Sequence, residues 1–79
     1  MELHDRVLGV FRSAMDIEGD IDTDLLAYRE FGKWTSLAHM MLIAALEDEF
    51  DVMLETEDIL AMSTFDKAVE IMARYDSRH

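Results

Sequence analysis

Apolar residues recur along this chain at spacings of three and four, and no proline interrupts them. That pattern constrains the fold more than any other feature. Side chains so spaced share one face of a helix, and a chain without proline has no forced helix break. From Glu2 to Met15 the stripe is Leu3, Val7, Val10, Phe11 and Ala14; Gly9 weakens this helix without ending it. From Ser36 to Phe50 it is His39, Leu42, Ile43, Leu46 and Phe50. A brief helix capped by Thr56 should cover Glu57 to Met62, with Ile59, Leu60 and Met62 inward. Ser63 or Thr64 should cap a last helix that buries Phe65, Ala68, Val69 and Met72, with Tyr75 at its end. Ser63 and Asp66 resemble a capping box. No strand-like alternation or internal repeat competes. The expected fold is all-α: one domain over residues 1–79, an antiparallel-type bundle of three main helices and a short one.

With 79 residues, the chain is near the lower limit for a core that holds without a staple. It has no cysteine, which excludes disulfides and thiolate metal sites and leaves it no thiol of its own. A hydrophobic fraction of 51% favours a folded domain over an acidic tail. Eighteen acidic residues against seven basic give a net charge of −11. Such a chain repels nucleic-acid phosphates and anionic membranes, and favours partners with basic patches; the same charge also keeps a small protein soluble. The longest apolar run, Met40 to Leu46, is too short to span a bilayer. Met1 to Asp5 is acidic with no apolar stretch after it, so no secretory signal is read and a cytoplasmic protein is expected.

Between the first two helices lies a long connection, Asp16 to Trp34, which Ile17, Ile21, Leu25 and Leu26 should pin to the core. Asp20, Asp22 and Asp24 alternate there as calcium ligands do. The match fails, because an EF-hand needs glycine where Leu25 stands and glutamate where Phe31 stands. His4, His39 and His79 are too scattered for a three-histidine metal site.

The second helix has a second apolar face. Leu37, Met40, Met41, Ala44, Glu47 and Asp48 fall opposite the core stripe, apolar first and acidic last. A purely structural helix would carry polar residues there. Acidic groups at a helix C-terminus oppose its dipole, so Glu47, Asp48 and Glu49 suit a basic partner better than they suit local stability. Met40 and Met41 read as adaptable contact residues, whereas Met62, Met72 and Met53 read as core filler. Ser36 heads this helix. A serine there is commonly just the N-cap, but Thr35 can take that role and leave Ser36 at the first helical position, exposed and free. No base at catalytic spacing accompanies it, so it reads as an attachment point and not as a hydrolase nucleophile. His39, on the core side, reads as a packed, hydrogen-bonded histidine.

Asp22-Thr23-Asp24-Leu25-Leu26, Trp34-Thr35-Ser36-Leu37, Leu46-Glu47-Asp48-Glu49-Phe50 and the helix start Ser63-Thr64-Phe65 occur in an order that resembles the acyl carrier proteins. Their signature is an Asp-Ser-Leu triplet opening a helix that ends in an acidic run. The resemblance spans Leu3 to about Tyr75. Thr35 replaces the usual aspartate, keeping the cap and losing the charge; Trp34 and His39 look more like the W-x-S-L-x-H form of stand-alone carriers in specialised pathways.

The resemblance implies a 4′-phosphopantetheine arm on Ser36 that carries an acyl group as a thioester, with the sulfur supplied by the arm. It implies a carrier, not an enzyme, and a monomer. Its partners would be a phosphopantetheinyl transferase, which uses coenzyme A and magnesium, and acyl-loading and acyl-processing enzymes docking on Leu37, Met40, Met41, Ala44, Glu47 and Asp48. The alternative is an acidic helical interaction module that binds through the same face and is never modified. Fatty acyl, polyketide, amino acyl and hydroxy acyl cargoes all remain open.

Overall fold

The computed structural model describes residues 2–19 and 21–76; Asp20 and His79, weighed above as metal ligands, and Met1, weighed in the signal reading, lie outside them. The elements are α1 (Leu3–Met15), a 3₁₀ turn (Thr23–Leu25), α2 (Ser36–Phe50), α3 (Thr56–Ala61) and α4 (Phe65–Asp76). Among the described residues there is no strand, and a single antiparallel bridge joins Ala27 to Thr64. The architecture is thus all-α, with three long helices and one short.

α1 and α2 end in the same way. Asp16 and Asp51 adopt the left-handed conformation (φ 52° and 53°), and each returns its amide to the carbonyl four residues back, Arg12 and Glu47. The next amides, of Ile17 and Val52, reach the same carbonyls at 3.0 and 3.1 Å. Aspartate tolerates this conformation better than most residues, although glycine is the usual choice. Thr64, not Ser63, caps α4, its Oγ1 accepting from the Lys67 amide at 3.0 Å. At α3 the cap is Glu55, without a side-chain bond, and Thr56 is the first helical residue.

α1 packs against both α2 and α4. The apolar stripes meet in one core, with Phe11 at its centre: its ring meets Trp34 and Phe65 edge-on at 5.1 and 5.2 Å. Such pairs add about 0.5–1.5 kcal/mol beyond burial. Arg6 ties three helices together. Its guanidinium lies 4.2 Å from the Phe50 ring centre, bonds the Glu49 carboxylate and carbonyl at 3.3 Å each, and reaches Asp76 at 3.4 Å.

Several packing expectations need correction. Leu26 is buried but Leu25 is 63% exposed, because adjacent residues of a 3₁₀ turn point about 120° apart. Leu60 is 79% exposed, since one short helix turn toward Ile59 and Met62 turns its neighbour away. In the link after α2 the buried residue is Leu54, while Met53 is 86% exposed. Side chains of extended backbone alternate, so the two do not point the same way. Ala14 is only half-buried; Met15 completes the α1 stripe, and Ile71 joins that of α4.

Candidate functional site

Thr35 is the N-cap of α2, its Oγ1 accepting from the Ala38 amide at 3.2 Å. The hydroxyl of Ser36, one residue on, is therefore not needed to cap the helix. Ser36 is exposed, as its position predicts, but it is not free: its Oγ lies 3.0 Å from the hydroxyl oxygen of Tyr28. Either oxygen can be the donor.

Tyr28 comes from the long connection, which folds back on the start of α2. Its amide donates to the Ser63 carbonyl at 2.9 Å, and the Arg29 amide donates to that of Trp34 at 3.0 Å. Arg29 sits in the left-handed region at φ 67°, a conformation with a cost for a non-glycine residue. Beneath them Trp34 is fully buried. Its indole N–H donates to His39 Nδ1 at 3.0 Å, and His39 Nε2 lies 2.9 Å from the Ile59 carbonyl. Indole only donates and a carbonyl only accepts, so the pairing selects a neutral His39 with its proton on Nε2. His39 is thus the packed, hydrogen-bonded residue that its place on the core side predicts.

Next to Ser36 an open cavity of about 450 Å³ is lined by Arg29, Phe31, Gly32, Trp34, Ser36 and Leu37. The first amides of α2, those of Ser36 and Leu37, have no carbonyl four residues back within the helix, and both residues line this cavity. The site thus sets a hydroxyl at a helix N-terminus beside a cavity with a cationic residue in its wall, an arrangement that favours negative charge.

From Ser36 the exposed face of α2 runs through Leu37 (72% exposed), Met40 (63%), Met41 (52%) and Ala44 to Asp48. Glu47 differs from its neighbours. It is half-buried, and its Oε2 accepts from the Leu54 amide at 2.9 Å, which secures the link after the helix. Glu49, beside Asp48, is paired with Arg6.

Of the face expected from the sequence, Leu37, Met40, Met41, Ala44 and Asp48 lie exposed together beyond Ser36, whereas Glu47 is half-buried and turned to the Leu54 amide, so it is not part of the open surface. Tyr28 and Arg29 escape the sequence analysis, because they lie in an aperiodic loop eight and seven residues before the serine, where spacing carries no information about contact. Compared with known protein families, with curated proteins and with solved structures, the chain matches none.

Proposed function

We propose that the protein is an acyl carrier whose Ser36 bears a 4′-phosphopantetheine arm and whose exposed α2 face receives the partner enzymes in turn. The observation that carries this reading is the division of labour at the head of α2: Thr35 caps the helix, and the Ser36 hydroxyl stands exposed beside an open cavity. A phosphodiester on Ser36 would meet the Tyr28 hydroxyl and the first amides of α2, with Arg29 on the wall of the same cavity. The arm would supply a thiol, which this cysteine-free chain lacks, for carrying an acyl group as a thioester.

The protein's own residues would hold and present. Leu37, Met40 and Met41 offer apolar contact that nothing in the core requires, since all three are more than half exposed. Asp48 and the net charge of −11 favour approach by a basic surface. Catalytic groups would belong to the partners.

The test is the intact mass of the protein after incubation with coenzyme A, magnesium and a broad-specificity phosphopantetheinyl transferase. The expected result is a gain of one phosphopantetheine that Ser36→Ala abolishes while retaining its helicity. No gain with transferases of several pathways would overturn the carrier reading and leave an unmodified docking module.

A further inference from the structure

We infer that Tyr28 is a positioning residue for Ser36: it orients the serine hydroxyl for modification and afterwards donates its hydrogen bond to the phosphoester formed there. This rests on the carrier reading above and adds to it a residue outside the motif around the serine.

The contact is held by a frame that does not involve Ser36. The Tyr28 ring lies 5.0 Å from His39, tilted against it, and 6.2 Å from Trp34, edge-on. Trp34 and His39 are locked to each other and to the Ile59 carbonyl. The Tyr28 backbone is tied to Ser63 and to the start of α4 by the bridge between Ala27 and Thr64. Packing and backbone bonds therefore place the tyrosine hydroxyl, and the serine hydroxyl comes to it at 3.0 Å. A serine side chain has three staggered choices; a fixed partner selects among them.

In loading, Ser36 Oγ bonds to the pantetheine-side phosphorus of coenzyme A, and the bond from that phosphorus to the bridging diphosphate oxygen breaks. Adenosine bisphosphate leaves, and the serine proton passes to a base on the transferase. Before this step, Tyr28 and Ser36 can each donate to the other. Afterwards Ser36 Oγ has no proton, so only Tyr28 can donate. The acceptor is then an ionised phosphodiester, and the bond becomes charge-assisted and stronger than the one it replaces. Arg29, a cationic residue, lines the same cavity. A tyrosine serving only as packing would lose nothing when replaced by phenylalanine.

The test compares the wild type, Tyr28→Phe and Ser36→Ala in the loading reaction, followed by phosphorus NMR of the loaded proteins. Tyr28→Phe keeps the ring and the α2 face. Its kcat for loading should fall about fivefold, the rate equivalent of one net hydrogen bond, with KM for the carrier unchanged. The phosphorus signal of loaded Tyr28→Phe should be displaced from that of the wild type. Equal kcat and an identical phosphorus signal would overturn the role of Tyr28 while the loaded wild type left the carrier reading intact. A wild type that gained no arm, with Ser36→Ala equally unmodified, would overturn both.

Should Tyr28→Phe fail to fold, the wild type answers alone, by the NMR shift of the Tyr28 Cζ carbon before and after loading. Tyr75, whose hydroxyl bonds Asp58, is the internal reference. A change at Tyr28 with none at Tyr75 supports the inference, and no change at Tyr28 overturns it.

Discussion

Trp34 donates its indole N–H to His39 at 3.0 Å, and His39 lies 2.9 Å from the Ile59 carbonyl, so one imidazole joins the loop before α2 to α3. The two rings are nearly coplanar, their planes 21° apart and their centres 6.0 Å apart, as an in-plane hydrogen bond between them requires. The pair sits directly beneath Tyr28 and so supports the contact with Ser36.

Replacing His39 should therefore affect more than its own packing. His39→Phe leaves the buried Trp34 N–H without its acceptor, a group whose desolvation goes uncompensated, and removes the partner of the Ile59 carbonyl. We expect a loss of about 1–3 kcal/mol in urea unfolding followed by Trp34 fluorescence, with a changed emission maximum in the folded state. An unchanged midpoint would show that the hydrogen-bond chain contributes little.

Tyr75 provides a pH-dependent term. Burial first, and the hydrogen bond to Asp58 second, raise its hydroxyl above the ordinary phenol range, while the Glu55 amide pulls the other way. Below a pH of about 10 the hydroxyl is protonated in both states and its contribution is whole. Above that pH the unfolded chain gives up its proton first, so stability falls until the folded hydroxyl ionises too. Tyr75→Phe should be less stable at neutral pH and should show a shallower decline in stability above pH ~10. Parallel decline curves for the two proteins would contradict this.

Asp51 combines a left-handed backbone (φ 53°) with a negative charge at the C-terminus of α2. Both disfavour the fold, one by steric strain and one through the helix dipole. Asp51→Gly should raise stability by roughly 0.5–1 kcal/mol, which in a domain of this size lifts Tm by about 2–8 °C. Asp51→Val, β-branched at the same φ, should lower it. A fall in Tm for the glycine variant would indicate an unrecognised role for the carboxylate.

The exposed α2 face should separate function from stability. Leu37→Ala and Met41→Ala remove side chains that are mostly in solvent, so unfolding midpoints should stay within about 0.5 kcal/mol of wild type. If partners dock there, the same variants should raise KM in the loading reaction with helicity unchanged. Asp48→Lys should slow association with a basic partner and weaken its salt dependence. Unaltered kinetics in all three would move the docking surface elsewhere.

Much of the fold was legible because helices write their own periodicity. The bounds of α2, Ser36 to Phe50, and four of its five buried residues, Leu42, Ile43, Leu46 and Phe50, follow from the spacing of three and four; the fifth, Ala38, is not in the expected stripe, which has half-buried His39 instead. Where elements are short, the period has too few turns to be read. Hydrophobicity favours a core place for Leu25, Met53 and Leu60, yet all three are exposed. In each case a neighbour, Leu26, Leu54 or Ile59 with Met62, takes the inward place, because consecutive residues diverge in any regular backbone.

The local sequence by itself determined that the chain is helical, that Thr35 caps α2, and that Ser36 opens a helix whose outer face is apolar and then acidic. Capping and periodicity involve residues within four positions of one another, so they can be read without the rest of the molecule. Only the tertiary structure decided what stands beside the serine. Tyr28 and Arg29 arrive through a loop held by Trp34, Ser63 and Thr64, and Glu47 turns to bond Leu54. Those contacts depend on how the core closes around Trp34 and Phe11, and side-chain burial is settled jointly by all the helices that share it.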